Sequence, residues 1–265
     1  MDLLHDEPFA ELAGTTLRFD LALPEGPGPH PAVVCIHGGG WISGAKEEMS
    51  ELAVGLAANG FASACPEYRL APLHPFPAAA EDVQGFVRFL RSNSARWGLN
   101  PDAIGALGNS AGGHLAAMSA ATDVPDESGT SSRVNAAVAI CPLTDLVDPA
   151  SHHFPVSLGF IEQFLGGPYE GLEDRYRKAS PAVHVDAACA PMFLVHGEAD
   201  DIVPISQSDR LAAALEAAGV RHTYRKLPGE GHSFSLAAWE GIVRQYLDFF
   251  GETLPRAAAG TRSLQ

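Results

Sequence analysis

The apolar positions near the start of the chain predict two strands joined by a turn. Every second residue over positions 17–23 is a large apolar one, which is typical of a half-buried antiparallel strand. Residues 32–36 are continuously apolar, as expected of a strand that is buried on both faces. The intervening residues 26–31 are glycine, proline and one histidine, and they predict a turn.

Further along the chain, strand-like and helix-like segments alternate. Predicted strands cover residues 61–65, 103–107, 134–141, 192–196 and 222–227, and predicted helices cover residues 49–58, 78–97, 207–218 and 236–250, with one more beginning at Ala111. This alternation predicts the α/β class, with a mainly parallel sheet flanked by helices on both faces. Such sheets carry their chemistry in the loops at the carboxyl ends of the strands.

Two segments depart from the alternation. Residues 143–185 are too long for a simple crossover, and their apolar residues, which include Phe160 and Phe164, predict short helices in a lid-like insertion over a pocket. Residues 252–265 are poor in large apolar side chains and predict a loose tail. No repeat or linker divides the remainder, so we expect a single domain over residues 1–251.

The composition is that of a folded, acidic protein. Of the 265 residues, 46% are apolar, and 17 Lys and Arg against 32 Asp and Glu give a net charge of −15. Such a surface would repel phosphate backbones and anionic lipid headgroups, so we expect neither nucleic acid nor a membrane as a partner. No apolar run approaches the roughly 20 residues of a membrane-spanning helix.

The features that report on the cellular compartment predict a cytoplasmic location. The N-terminus is acidic and lacks the basic-then-apolar pattern of a secretion signal, although a signal that had been trimmed would make the protein secreted. Cys35, Cys65, Cys141 and Cys189 are far apart and form no Cys-x-x-Cys pair. That spacing favours buried free thiols over disulfides or a zinc site.

The pentapeptide Gly108-Asn109-Ser110-Ala111-Gly112 is the first candidate for catalytic chemistry. It is the only Gly-x-Ser-x-Gly in the chain, and it directly follows a predicted strand and precedes a predicted helix. In that context the glycines relieve the clashes of a tight turn and leave the Ser110 hydroxyl exposed as a nucleophile. The backbone N–H of Ala111 would lie at a helix N-terminus, where negative charge is favoured.

A glycine-rich loop, His37-Gly38-Gly39-Gly40-Trp41, follows the apolar strand over residues 32–36. Its glycine N–H groups can point at a ligand without obstruction, so Gly39 and Gly40 could bind an oxyanion together with Ala111. A phosphate-binding P-loop is disfavoured because Ala45 stands where that motif needs lysine. A dinucleotide site is disfavoured because no Gly-x-Gly-x-x-Gly follows a strand.

A serine nucleophile needs a base and an orienting carboxylate, which follow it in the chain order Ser, Asp or Glu, His. His232 follows the predicted strand over residues 222–227, so it lies at the same sheet edge as Ser110. The loop after residues 192–196 offers two adjacent carboxylates, Asp200 and Asp201, and the pattern of residues alone leaves both open. Glu198 is a third, outside candidate.

The remaining histidines are interpreted as structural. His37 and His196 lie at strand ends, where they can hold loops by hydrogen bonds. The neighbours His152 and His153 point apart and have no accompanying carboxylate pattern, so no metal site is expected there.

Together these residues resemble the hormone-sensitive-lipase-like (family IV) carboxylesterases of the α/β-hydrolase superfamily, and above all its compact bacterial acetylxylan and feruloyl-type esterases. The segments that carry the resemblance occur in the family's order: residues 37–41, 67–72, 74–78, 81–83, 108–113, 196–204 and 231–232. The resemblance implies the α/β-hydrolase fold, with Ser110 as nucleophile and His232 as base. It implies Asp200 as the acid, because Asp200 fills the slot in His-Gly-x-x-Asp-x-x-Val-Pro.

The resemblance also implies an oxyanion hole formed by Gly39, Gly40 and Ala111, and a reaction without metal or cofactor. The charged residues of the shared segments are interpreted as structural: Glu67, Arg69, Glu81 and Asp82. Asn109 departs from the Asp that hormone-sensitive-lipase-like members often have before the serine, which favours the compact branch. Only 36 residues precede His37, which suits one or two strands and no N-terminal cap domain.

Without that cap we expect an open acyl pocket bounded by the insertion and by Trp41, Leu143, Ile202 and Phe234. The function that the resemblance implies is a serine carboxylesterase for short-chain esters, acetyl to butyryl-like, with a small-molecule ester as its partner. An arylformamidase-like amidase with the same triad is the alternative. A non-catalytic ligand receptor is disfavoured because no triad member is missing. Related hydrolases often dimerise, so a homodimer is one expectation.

Overall fold

One sheet of eight strands forms the centre of the computed structural model, which describes residues 1–12 and 14–254. The strands are β1 Asp2–Leu12, β2 Thr15–Leu23, β3 His30–Ile36, β4 Ala62–Pro66, β5 Leu99–Asn109, β6 Ala136–Ile140, β7 Met192–Gly197 and β8 His222–Leu227. They lie in the order β1-β2-β4-β3-β5-β6-β7-β8. β2 is antiparallel to β1 and β4, and the other neighbours are parallel. The predicted mainly parallel sheet is therefore confirmed.

Helices cover both faces of this sheet. They are α1 Ser50–Ala58, α2 Ala78–Ser92, α3 Ala111–Ala121, α4 Pro155–Leu165, α5 Glu173–Lys178, α6 Pro181–His184, α7 Ser206–Ala217 and α8 Leu236–Thr253. α2, α3 and α7 contribute Phe86, Leu115 and Leu211 to a core on one face. α1 and α8 contribute Leu56 and Phe250 to a second core on the other face.

The central strands follow from their apolar composition. Every residue of β4, β6 and β7 is buried, as expected for strands that helices cover on both faces. β2 instead buries alternate residues as far as Leu21, and its Leu17, Phe19 and Leu21 are almost fully enclosed, whereas the adjacent Ala22 is buried on the other face. The predicted alternating strand is thus confirmed, and so is its antiparallel pairing, which it makes with both of its neighbours, β1 and β4.

Several strands or helices differ from the prediction in their bounds or were not predicted. β5 begins at Leu99, well before the predicted strand, and includes the exposed Asp102. The helix predicted over residues 78–97 ends at Ser92 and is followed by the separate 3₁₀ turn Ser94–Trp97. β1, which the apolar pattern does not single out, is mostly exposed and pairs only with β2.

The C-terminal helix is longer than predicted. α8 ends at Thr253, and the buried Leu254 packs so closely on β5 that a Cβ added to Gly105 would lie 2.8 Å from Leu254 Cδ1. Residues 252–254 of the predicted tail are therefore part of the folded domain, whereas residues 255–265 lie outside the described residues. Among the described residues, no helix has both the length and the apolar character that crossing a membrane requires.

The loops that carry the candidate residues leave the sheet at one edge. β3 ends before the glycine loop and β5 ends before Ser110, while the loops with Asp200 and His232 follow β7 and β8. The insertion after β6 contains the predicted short helices, which are a 3₁₀ turn at Pro149–Ser151 followed by α4, α5 and α6.

Candidate active site

Ser110 occupies a strained turn between β5 and α3. Its φ of 53° and ψ of −119° lie in a region that residues other than glycine rarely adopt, and its N–H donates to the Ile140 carbonyl at 2.8 Å. Glycine is required on both sides. A Cβ on Gly112 would lie 2.1 Å from the Ile36 oxygen, and one on Gly108 would lie 2.4 Å from the Gly112 carbonyl carbon. The turn therefore presents the Ser110 side chain at the carboxyl edge of the sheet.

The glycine loop after β3 leaves backbone N–H groups available beside this turn. Gly39 and Gly40 have φ values of 102° and 59°, and the Gly39 carbonyl accepts the N–H groups of Ile42 and Ser43, both at 3.1 Å. No atom of the described residues accepts a hydrogen bond from the N–H of Gly39, Gly40 or Ala111. These are the donors that sequence analysis predicted for an oxyanion, and they are free to bind one.

His37, the first residue of the glycine loop, holds the loop in place by a hydrogen bond to its backbone. Its ring is buried and stacks on Tyr68 with 4.2 Å between ring centroids. Nδ1 donates to the Gly38 carbonyl at 2.9 Å, and the Tyr68 hydroxyl donates to the His37 carbonyl at 3.1 Å. Burial lowers the pKa of His37, so the ring is held in its neutral form. Its position agrees with the structural role interpreted from the sequence.

Trp41 is fully buried and connects the glycine loop to α3 and to the insertion. Its indole stacks on Phe164 of α4 with 4.2 Å between centroids, and Nε1 donates to His114 Nδ1 at 3.2 Å. His114 in turn donates from Nε2 to the Ala179 carbonyl at 2.7 Å. Burial lowers the pKa of His114 to about 4. Trp41 therefore holds the loop in place, and its side chain does not reach the surface of a pocket.

The other predicted pocket residues fall into two groups. Leu143, at the start of the insertion, is buried in the core, as Trp41 is. Ile202 and Phe234 are partly exposed near Asp200 and His232. Phe160 of α4, which the sequence assigned to the short helices over the pocket, lies against the glycine loop, since a Cβ added to Gly40 would lie 3.0 Å from its ring. The insertion thus covers the glycine loop closely.

His232 and Asp200 form a short hydrogen bond, although they are on different loops. His232 Nδ1 lies 2.7 Å from Asp200 Oδ2, the Asp200 side chain is fully buried and that of His232 is 21% exposed. Asp201 and Glu198, the two other candidates, are exposed. The geometry therefore selects Asp200 as the carboxylate that orients His232 and leaves Nε2 of the ring as its second nitrogen.

Hydrogen bonds keep the Asp200 carboxylate ionised in its buried position. Burial alone would raise its pKa, but hydrogen bonds from His196, His232 and the Val203 N–H outweigh burial and hold the pKa well below its ordinary value. An ionised Asp200 can stabilise a positive charge on His232.

Two of the charged residues of the shared segments tie loops to regular elements, Arg69 to α2 and Glu67 to β2. Asp82 of α2 is buried, and it accepts the Arg69 backbone N–H at 2.8 Å and Arg69 Nη2 at 2.7 Å. Glu67 Oε2 accepts the N–H of Arg18 from β2 at 2.9 Å. Both arrangements agree with the structural role interpreted from the sequence.

A cavity of about 480 Å³ opens beside His232, between α1 and α8. Its lining combines aromatic side chains, among them Phe234, Trp239 and Tyr246, with polar residues that include Asn109 and His232. None of the residues of the insertion lines it.

Two curated esterases are similar to most of this chain. Esterase LipQ of Mycobacterium tuberculosis is 33% identical over 216 residues, which are 78% of this chain and 51% of LipQ. Esterase LipC of the same organism is 30% identical over 248 residues, which are 88% of this chain and 59% of LipC. The chain spans about half to three fifths of the length of these curated relatives.

Two solved structures are similar to nearly the whole chain. A truncated carbohydrate esterase from gut microbiota has a TM-score of 0.82 and 26% identity, covering 96% of both chains. The thermophilic esterase Est2 of the planctomycete Thermogutta terrifontis has a TM-score of 0.81 and 25% identity, covering 96% of this chain and 94% of its own. These likenesses confirm the α/β-hydrolase fold.

The sequence profile of the BD-FAE family matches residues 19–215. That range begins in β2 and ends in α7, and it contains the glycine loop, Ser110 and Asp200 but not His232. The match confirms the resemblance to compact bacterial esterases that the sequence motifs indicated, and the chain belongs to the BD-FAE family of the α/β-hydrolase superfamily.

Proposed function

We propose that the protein is a serine carboxylesterase that hydrolyses short-chain esters through an acyl-enzyme on Ser110. The observation that carries the proposal is the 2.7 Å hydrogen bond between His232 and Asp200, on loops that leave the sheet at the same edge as the strained Ser110 turn. The free N–H groups of Gly39, Gly40 and Ala111 complete the chemical requirements of acyl transfer.

In this reaction each side chain has one task. Because His232 Nδ1 donates to Asp200, Nε2 is the basic nitrogen and takes the Ser110 hydroxyl proton as Oγ attacks the ester carbonyl. The glycine-loop N–H groups and that of Ala111 hold the resulting oxyanion. When the carbon–oxygen bond to the leaving group breaks, Nε2 returns the proton to the departing alkoxide and releases the alcohol. A water molecule then attacks the acyl-enzyme by the same steps and releases the acid.

Two considerations support an ester with a small acyl group as substrate. LipQ, LipC and both structural neighbours are named as esterases, and Thermogutta Est2 has been solved with propionate bound and phosphonylated by sarin. In this chain, Phe160 lies directly against Gly40, and Trp41 and Leu143 are buried, so little space remains for a long acyl chain beside the glycine loop.

The test is hydrolysis of p-nitrophenyl esters from acetate to long acyl chains, with Ser110→Ala as the inactive variant. We expect the highest kcat/KM for the shortest esters and a loss of about a thousandfold or more in Ser110→Ala. Ser119→Ala is the matched control, because Ser119 is a buried serine of α3 whose hydroxyl bonds to Leu115 within the helix. Folded wild type that cleaves a formanilide faster than aryl acetates would instead support an amidase, and Ser110→Ala with full activity would refute the proposal.

A further inference from the structure

The buried carboxylate of Asp200 has hydrogen-bond partners on both oxygens. Oδ1 accepts the N–H groups of Ile202 at 2.9 Å and Val203 at 2.8 Å. Oδ2 accepts from His232 at 2.7 Å and also lies 3.2 Å from Nε2 of His196, whose side chain is fully buried. A second histidine therefore contacts the same oxygen that orients the proposed base.

The neighbours of the His196 ring determine where its hydrogen is. Nε2 lies 2.9 Å from the Val203 carbonyl oxygen and 3.2 Å from Asp200 Oδ2, and neither oxygen has a hydrogen to donate. Nε2 must therefore carry the hydrogen and donate it. Nδ1 lies 2.7 Å from the Ser208 hydroxyl, which can donate to it. Ser208 of α7 and the Val203 carbonyl thus fix both the ring plane and the tautomer.

We propose that His196 is a positioning residue for Asp200, in that its Nε2–H shares Oδ2 with His232 and restrains the carboxylate on that side. Rotation about the Cβ–Cγ bond would carry both oxygens away from their partners, and the two N–H groups resist it at Oδ1. A donor at Oδ2 that is itself immobilised by Val203 and Ser208 adds a second restraint, which does not depend on His232. The inference rests on the proposed esterase mechanism, in which Asp200 orients His232.

A metal ion is the competing explanation, since Cys141, His196 and Asp200 have donor atoms within 4.8 Å of one another. The ring of His196 cannot serve as a ligand in this arrangement, because Nε2 carries a hydrogen and Nδ1 is engaged by Ser208. Burial also raises the pKa of the Cys141 thiol, so the sulfur stays protonated and is a poor ligand. A hydrogen-bond network accounts for the cluster better than a metal site.

Sharing of Oδ2 has a measurable consequence for His232. With the His196 donor removed, the negative charge of Oδ2 faces His232 alone and favours its protonated form more strongly. The acidic limb of the kcat/KM profile reports where the base becomes neutral, so its midpoint should rise by roughly 0.5 to 1 pH unit. The carboxylate also loses one of its restraints and is positioned less exactly, so kcat should fall about ten- to a hundredfold.

The other ionisable groups near His232 are the same in wild type and in a variant that lacks the His196 donor. Cys141 approaches the Asp200 side from the end of β6, and Glu230 of the His232 loop is bonded to Ser235. Glu48 and Glu51 line the same cavity as His232 from the other side. None of these four contacts the ring of His196 by a hydrogen bond within the described part of the chain, so their charges are common to wild type and variant.

The experiment compares wild type, His196→Leu and His196→Gln in kcat and kcat/KM for p-nitrophenyl acetate across the acidic limb. Leucine fills the space of the ring without a donor, whereas the glutamine amide can place an N–H near the position of Nε2. We expect His196→Leu to raise the midpoint and lower kcat with little change in KM, and His196→Gln to restore both at least in part. His153→Gln is the matched control, because it removes a buried histidine that bonds to the Asp145 carbonyl and that, among the described residues, has no hydrogen bond to Asp200, His196 or Ser208.

A folded, active His196→Leu with the wild-type midpoint would overturn the inference, since a purely structural role would lower stability without moving the limb. If His196→Leu does not fold, nitrogen NMR of the wild-type histidines decides the matter. An Nε2–H tautomer at His196 supports the inference and an Nδ1–H tautomer overturns it. An inactive wild type or a fully active Ser110→Ala would instead refute the proposed function, so the two failures are distinguishable.

Discussion

Replacing Gly112 with alanine tests whether the Ser110 turn depends on close backbone contact. A Cβ at this position would lie 2.1 Å from the Ile36 oxygen, 2.6 Å from the His37 oxygen and 2.8 Å from the Ile36 carbonyl carbon. All three are backbone atoms at the end of β3, so no side chain can rotate away. Since a Cβ approaches other atoms to no less than 3.0 Å, the first turn of α3 would have to move by at least 3.0 − 2.1 = 0.9 Å.

That displacement has consequences for stability and for catalysis. Overpacking of this kind costs about 1–3 kcal/mol, which for a domain of this size lowers Tm by about 2–12 °C. The displaced turn carries Ser110 and the Ala111 N–H with it, and a shift of about 1 Å in a reacting group can reduce turnover about a hundredfold. We therefore expect Gly112→Ala to melt earlier and to lose most of the proposed esterase activity while remaining folded at room temperature.

Thermal unfolding and p-nitrophenyl acetate hydrolysis would be measured on the same preparations. Gly55→Ala in α1 is the matched control, because a Cβ there has no atom within 4 Å and a helical alanine should stabilise the protein by about 0.4–1 kcal/mol. If Gly112→Ala melts and turns over as wild type does, the steric account of the turn is wrong.

Three further outcomes follow from the contacts around the site. Asp200→Asn should lower kcat by about 10⁴-fold, as loss of the orienting carboxylate does in serine hydrolases, whereas the exposed Asp201→Asn should stay close to wild type in the same assay. Trp41→Phe keeps the stack on Phe164 but leaves His114 Nδ1 without its donor, so urea unfolding should report a loss of about 1–3 kcal/mol. Burial lowers the pKa of His114 in the folded state to about 4 from an ordinary value of 6.5. The neutral ring therefore contributes its full stability above pH 6.5, and this stability is lost as the pH falls towards 4. A pH series of unfolding free energies should show that wild type loses about 3 kcal/mol more stability at acid pH than His114→Gln does.

The parts of the fold that could be predicted are those in which burial on both faces imposes an apolar run. β4, β6 and β7 are of this kind, and the alternation of β2 marks a strand with one covered face. β1 escaped prediction because an exposed edge strand needs no apolar pattern. The last turn of α8 escaped it because its residues are mostly exposed, and the buried residue that follows them, Leu254, packs against the distant Gly105.

The residues of the candidate site can be divided in the same way, into those that a local motif predicts and those whose position depends on a distant contact. Ser110 and His232 stand in local motifs, because the turns that present them need glycine close by in the chain. The side-chain position of Trp41 could not be predicted in this way. Trp41 was expected to line the pocket, yet Phe164, which belongs to the insertion, stacks on its indole and buries it completely. No local pattern records a contact between segments so far apart in the chain.

The adjacent residues Asp200 and Asp201 show what a motif contributes and what only the three-dimensional structure adds. The family pattern selects Asp200, and the reason becomes physical in the structure: the N–H groups of Ile202 and Val203 turn back onto its Oδ1 and aim Oδ2 at His232. His196 belongs to the same pattern and was interpreted as a residue that holds a loop. It does hold the loop, through the Val203 carbonyl, and the same Nε2–H also reaches the carboxylate. One histidine can therefore fix the loop and also, in the proposed mechanism, position Asp200, which is why a stability measurement alone would not separate the two roles and a pH profile would.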